Sequence, residues 1–126
     1  MGYYLNNNVC YEAYKYITQM EYFVDKSEIL EELFPVLNTE NRFVCITRPR
    51  RFGKTAAANL ISSFFSRGCD SRELFFRLKI KDNPHFEEHI NRHNVIFIDF
   101  SKMPFLCEDY NTYISAVVKK LMKDLA

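Results

Sequence analysis

Apolar and polar positions along the chain follow two periods. Several stretches place apolar residues three and four apart, the spacing of a helix with one buried face. Near the N-terminus Tyr11, Tyr14, Ile17 and Met20 stand three apart and predict a short amphipathic helix. Ile29, Leu30, Leu33 and Phe34 fill one face of a second helix, with Ser27 as N-cap, Glu28 in the first turn and Pro35 at its end. Ala57, Leu60, Ile61, Phe64 and Phe65 form a stripe within a run from Ala56 to Phe65, and Gly68 is placed to stop it. Asp70 or Ser71 is placed to cap a further short helix carrying Leu74, Phe75 and Leu78. Residues 84–93 read as a helix opened by Pro84, and Tyr110 to Leu125 as a longer one. That last helix carries Tyr113, Ile114, Val117, Val118, Leu121, Met122 and Leu125 on its apolar stripe, with Lys119, Lys120 and Lys123 on its wet face. Two other stretches are continuous apolar runs, the pattern of strands buried on both faces: Phe43-Val44-Cys45-Ile46, continuing to residue 47, and Val95-Ile96-Phe97-Ile98-Asp99-Phe100. Strands alternating with helices predict an α/β domain, a parallel sheet flanked by helices.

The junction between the first apolar run and its helix carries the chemistry. Ile46-Thr47-Arg48-Pro49-Arg50-Arg51-Phe52-Gly53-Lys54-Thr55 reads as strand, basic turn, then helix. Gly53-Lys54-Thr55 closes the phosphate-loop (Walker A) pattern G-x-x-x-x-G-K-[ST], although its first glycine falls on Arg48. A helix beginning near Lys54 directs unpaired backbone N–H groups and its positive dipole end at whatever lies in front of it. That is an anion site. Gly53 allows the backbone to approach a phosphate, Lys54 reaches the β- and γ-phosphates, and the Thr55 hydroxyl is placed for Mg²⁺. Arg48, Arg50 and Arg51 add positive charge, and Pro49, Phe52 and Ala56 complete the expected nucleotide-binding stretch. Gly-Lys-Thr alone recurs by chance in many proteins, so the flanking strand and helix are the context that the motif needs. In Val95–Phe100, four apolar residues followed by Asp99 have the shape of an acidic strand that orients Mg²⁺, which makes Asp99 a catalytic and metal candidate beside Lys54 and Thr55.

Thr47 to Thr55 resembles the signature of the AAA-ATPase-like family of predicted bacterial and archaeal P-loop ATPases, which also carries Arg in place of the first glycine. Two further segments agree, in family order. Tyr22-Phe23-Val24-Asp25-Lys26-Ser27 resembles the family's Y-V-D-K-[ST] box, with Phe23 inserted, and Leu74-Phe75-Phe76-Arg77-Leu78-Lys79-Ile80 resembles its L-F-x-x-L-x-I segment. The resemblance implies ATP and Mg²⁺ as cofactors and a P-loop NTPase-type sheet. It also places Val24, Asp25 and Lys26 near the adenine. It reads Val95–Phe100 differently, as the family's P-V-I-x-L-D-F strand with Asn94 for Pro, and puts the acidic motif L-I-D-E-Y-D later than these residues. On that reading the chain is the N-terminal part of a larger ATPase domain or a shortened relative. Oligomerisation would then be one way to hide its apolar faces. Hydrolysis would require the missing acid.

Composition narrows the alternatives. In 126 residues, one domain spanning 1–126 is expected, and 48% hydrophobic content with 12 Phe and 8 Tyr suffices for a core. A net charge of +1 does not indicate a nucleic-acid partner, although Arg48, Arg50, Arg51 and Arg67 are an alternative contact for phosphodiester backbone, and the resembling family often carries a nuclease-like domain further along. A third reading is a structural or assembly module with a relic loop. No apolar run approaches a membrane span, and the N-terminus resembles neither a secretion signal nor a myristoylation site. The cysteines at 10, 45, 69 and 107 form no C-x-x-C pair, which suggests a reduced, cytoplasmic setting, with Cys45 a small core residue of its strand. His85, His89 and His93 stand four apart, a spacing that suits Zn²⁺; the competing reading is an exposed helix whose Phe86 and Ile90 pack inward.

Overall fold

A computed structural model describes residues 3–47, 54–99 and 109–126. Helices dominate: α1 (Val9–Thr18), α2 (Ile29–Leu33), α3 (Lys54–Phe65), α4 (Arg72–Phe75), α5 (Phe86–His89) and α6 (Tyr110–Leu125). Short 3₁₀ turns cover Phe34–Val36, Glu40–Arg42 and Lys79–Asp82.

The expected parallel sheet is not there. Among the described residues no strand forms, and β-pairing is confined to two isolated bridges, Leu5 with Ile96 (antiparallel) and Ser66 with His93 (parallel). The domain is small and mostly helical, so the α/β, P-loop NTPase-type expectation is corrected. The reason lies in pairing. A strand needs a ladder partner, and an apolar run of four to six residues does not specify one. Residues 43–47 are all exposed, Phe43 at 82% and Cys45 with it, so Cys45 is not a core residue. Residues 95–97 bond instead to the N-terminal segment, through Asn6 N–H to the Val95 carbonyl (2.8 Å) and Phe97 N–H to the Tyr4 carbonyl (3.0 Å). That segment is held from its other side by α6: the Asp124 carboxylate accepts the backbone N–H groups of Tyr3 (2.8 Å), Tyr4 (2.7 Å) and Leu5 (3.3 Å). It also passes so close to Gly68 that a Cβ there would lie 1.9 Å from the Asn6 carbonyl oxygen. Gly68, expected as a helix stop, is needed for this close approach.

The helical periods were legible, with adjustments. α1 and α6 form where their stripes predict, and α3 covers the predicted run from Ala56 to Phe65. Pro35 does not merely end α2: it sits within the 3₁₀ turn that continues it. Ser27 does not cap α2 with its side chain, because its hydroxyl accepts the Ile80 N–H instead (3.2 Å). The helix expected over 84–93 shortens to α5, though Phe86 and Ile90 are buried as foreseen. On α6 only Tyr113 and Val117 of the expected stripe are buried, while Met122 and Leu125 are 66% and 60% exposed.

The core is aromatic and centres on α3. Phe64 is fully buried and meets Phe34, Phe75 and Phe86 at ring distances of 5.7, 5.2 and 5.5 Å. The tilted and edge-on geometries suit the quadrupoles of the rings. Leu60, Ile80 and Ile90 close the gaps. α3 is buried well beyond one stripe, since Asn59, Ser62 and Ser63 also lie inside. The Ser63 hydroxyl donates to the Asn59 carbonyl (2.6 Å). Asn91 then ties the end of α3 to α4. Its backbone takes φ 54°, a left-handed conformation that Asn tolerates, its amide donates to the Ser66 carbonyl (2.8 Å), and its side-chain oxygen accepts the Ser71 N–H (3.0 Å). Among the described residues no helix is long and apolar enough to cross a membrane.

Candidate functional site

Lys54 and Thr55 are the first two described residues of α3, and both are exposed. The alanines that follow favour helix strongly and keep this turn narrow. Arg48, Pro49, Arg50, Arg51, Phe52 and Gly53, the remainder of the expected phosphate loop, lie outside the described residues.

One residue beyond Thr55, the surface opens into a hollow of about 380 Å³. Ala56, Ala57 and Leu60 of α3 form one wall, and Tyr14 and Ile17 of α1 another. Met20, Tyr22, Phe23 and Val24, from the turn after α1, complete it, with Glu21 and Lys26 as its charged members. The lining is thus mostly apolar and aromatic. Its small residues are those of the helix, where a bulkier side chain would fill the space.

The Tyr22–Ser27 segment divides its work between this hollow and the core beneath. Val24 and Lys26 line the hollow. Asp25, expected beside them, is used as an anchor: its carboxylate accepts the Ser27 N–H (2.8 Å) and the Lys79 N–H (2.7 Å). Burial pushes the Asp25 carboxyl up, but these hydrogen bonds and the charge of Lys79 outweigh it and hold it below the usual carboxylate range. Ser27, completely buried, binds the next amide, Ile80. Two segments that matter separately in the sequence, Tyr22–Ser27 and Leu74–Ile80, therefore meet. Their contact holds Phe23 and Val24 against the hollow.

Asp99 is half-buried in the segment before α6, and its backbone carbonyl accepts the Tyr113 hydroxyl (3.0 Å). Among the described residues no three His, Cys, Asp or Glu side chains are grouped to hold a metal, and the spaced histidines make a different arrangement. His89 Nδ1 and His93 Nε2 lie 3.0 Å apart, His85 Nδ1 is 3.1 Å from the Glu88 carboxylate, and the His89 ring stacks on Phe34 at 5.1 Å. Burial, His89 and Arg67 together hold His93 below the ordinary histidine range.

Sequence reasoning assigned Tyr14, Ile17 and Met20 to helix packing and did not connect them to Ala56. Their stripe was the available signal; what it could not show is that part of it faces a gap. A mostly helical domain with an apolar hollow beside a helix that carries Lys54 and Thr55 is the class that this geometry defines. The chain belongs to the AAA-ATPase-like family: the family model described as predicted AAA-ATPase matches residues 10–126, which include every residue lining the hollow. Neither a curated protein nor a solved structure matches it.

Proposed function

We propose that this chain binds a nucleotide, ATP with Mg²⁺, with the base in the hollow and the polyphosphate at the start of α3. The observation that carries the reading is continuity. Lys54 and Thr55, the residues suited to phosphate and Mg²⁺, run directly into Ala56 and Ala57, which line an apolar, aromatic space. Its 380 Å³ falls in the range of roughly 300–1,000 Å³ typical of small-molecule sites. Membership in a family described as predicted AAA-ATPase points the same way.

The residues present fit the metal as well. A nucleotide-bound Mg²⁺ keeps several waters and takes phosphate oxygens, so it needs only one or two protein oxygens rather than a cage of carboxylates. Thr55 would supply its hydroxyl, and Asp99 is the acidic candidate. Lys54 would neutralise charge on the β- and γ-phosphates, with Arg48, Arg50, Arg51 and Gly53 shaping the loop around them. Bound metal would screen the phosphates and polarise the terminal one. The proposal is for binding; hydrolysis needs in addition a carboxylate that orients water. With a net charge of +1, the nucleic-acid alternative has no comparable support.

Calorimetry with Mg-ATP tests the reading. Lys54→Ala should weaken binding by at least about tenfold, the loss expected for one charge-assisted contact. Unchanged affinity would remove the assignment of this loop.

A further inference from the structure

Tyr14 is 2% exposed, and among the described residues its hydroxyl is the sole buried side-chain polar atom without a hydrogen-bond partner. Other buried hydroxyls are engaged: Ser27 with Ile80, Ser63 with Asn59, Ser71 with the Ser63 carbonyl at 2.7 Å. The ring itself is well seated, stacked on Phe75 (5.8 Å, 18°) and set against Phe23 (6.3 Å, 72°). Phenylalanine would pack there equally well, and the surrounding cluster is built from it: Phe34, Phe64, Phe65, Phe75 and Phe86. A buried hydroxyl that gives up water for nothing is unfavourable. Its presence is accounted for if the partner is not part of the protein. Tyr14 also lines the hollow beside Ala56.

We propose that the Tyr14 hydroxyl is a ligand contact, donating a hydrogen bond to an acceptor atom on the edge of a planar heterocycle held in this hollow, and that it thereby selects the base. The proposal rests on the nucleotide reading above and adds to it the residue that recognises the base. Donation is the direction that the surroundings impose. Burial and the nearby Asp25 carboxylate raise the phenol well above its ordinary range, so it keeps its proton, and both Asp25 oxygens accept backbone N–H groups. A ring nitrogen or carbonyl of the base is therefore the fitting partner. Phe23 and Tyr22, also in the lining, supply faces on which such a ring can stack.

The test compares Tyr14→Phe with wild type using two probes, Mg-ATP and inorganic tripolyphosphate, and measures the melting temperature of each unliganded protein. Tyr14→Phe should weaken Mg-ATP by about 5- to 30-fold, the range for one lost hydrogen bond to a buried polar group, and leave tripolyphosphate unchanged. The unliganded variant should melt no lower than wild type, since it loses only an unpaired group. Unchanged Mg-ATP affinity in Tyr14→Phe, alongside loss of both probes in Lys54→Ala, would overturn this inference and leave the phosphate site standing. A lower melting temperature for the variant would also overturn it, by showing that the hydroxyl serves the fold. If wild type binds neither probe, the nucleotide reading fails and takes this inference with it.

Discussion

His93 shows how one side chain couples packing to pH. Its imidazole lies edge-on to Phe65 at 5.2 Å, with His89 3.0 Å away and Arg67 close enough to add positive charge. Glu88 lies 3.9 Å from the far nitrogen of His89. The folded protein therefore resists protonating His93, whereas the unfolded chain takes up the proton near pH 6.5, the ordinary histidine value. With the folded value depressed, the stability contribution is complete above about pH 6.5 and is lost as pH falls toward the folded value. Urea midpoints measured from pH 7.5 to 5 should decline through that window, and His93→Gln should flatten the decline. An unchanged slope in the variant would place the titration elsewhere. Asp25 makes a related point at the same scale: its carboxylate secures the turn that shapes the hollow, through two amides that no sequence pattern reveals.

At the level of elements, α6 acts through its polar end more than through its apolar stripe. Asp124 gathers three backbone N–H groups of the N-terminal segment, and that segment in turn holds residues 95–97. Burial opposes the Asp124 carboxylate and these N–H bonds favour it, with a net lowering below the usual range. Asp124→Ala should release the clip. Hydrogen exchange should then show faster amides at Tyr3, Tyr4 and Leu5, and at Asn6 and Phe97 through the lost pairing, with the amides of α3 unaffected. Unaltered exchange at Tyr4 would mean that the bridge to Ile96 suffices alone. The apolar runs at 43–47 and 95–99 contrast with this. Both have strand composition, yet one is exposed and the other is paired to a loop, because pairing is a property of two segments and composition belongs to one.

For the whole molecule, binding and folding are linked. The hollow draws on α1, the turn after it and α3, so a ligand that fills it touches all three. A ligand at one hundred times its dissociation constant stabilises the native state by about 2.7 kcal/mol. For a domain of this size that corresponds to a rise in melting temperature on the order of 10 °C. Thermal scans with Mg-ATP should show such a rise in wild type and at most about half of it in Lys54→Ala. Equal melting temperatures with and without Mg-ATP would argue against native-state binding.

Much of this was written in the residue order. The helical spans of α1, α3 and α6, the inward turn of Phe86 and Ile90, and the family resemblance carried by Tyr22–Ser27, Thr47–Thr55 and Leu74–Ile80 all follow from short-range spacing, which a linear text records faithfully. The sheet was misjudged because an apolar run states that a segment avoids water and leaves open what it will lie against. The same limit hid the hollow. Tyr14 belongs to a helical stripe whether it faces protein or a gap, and only the approach of α1 to Ala56 decides between them. Local periodicity thus determined which segments are helical; three-dimensional packing decided which of their apolar residues are buried, because burial needs a neighbour that only the tertiary structure supplies.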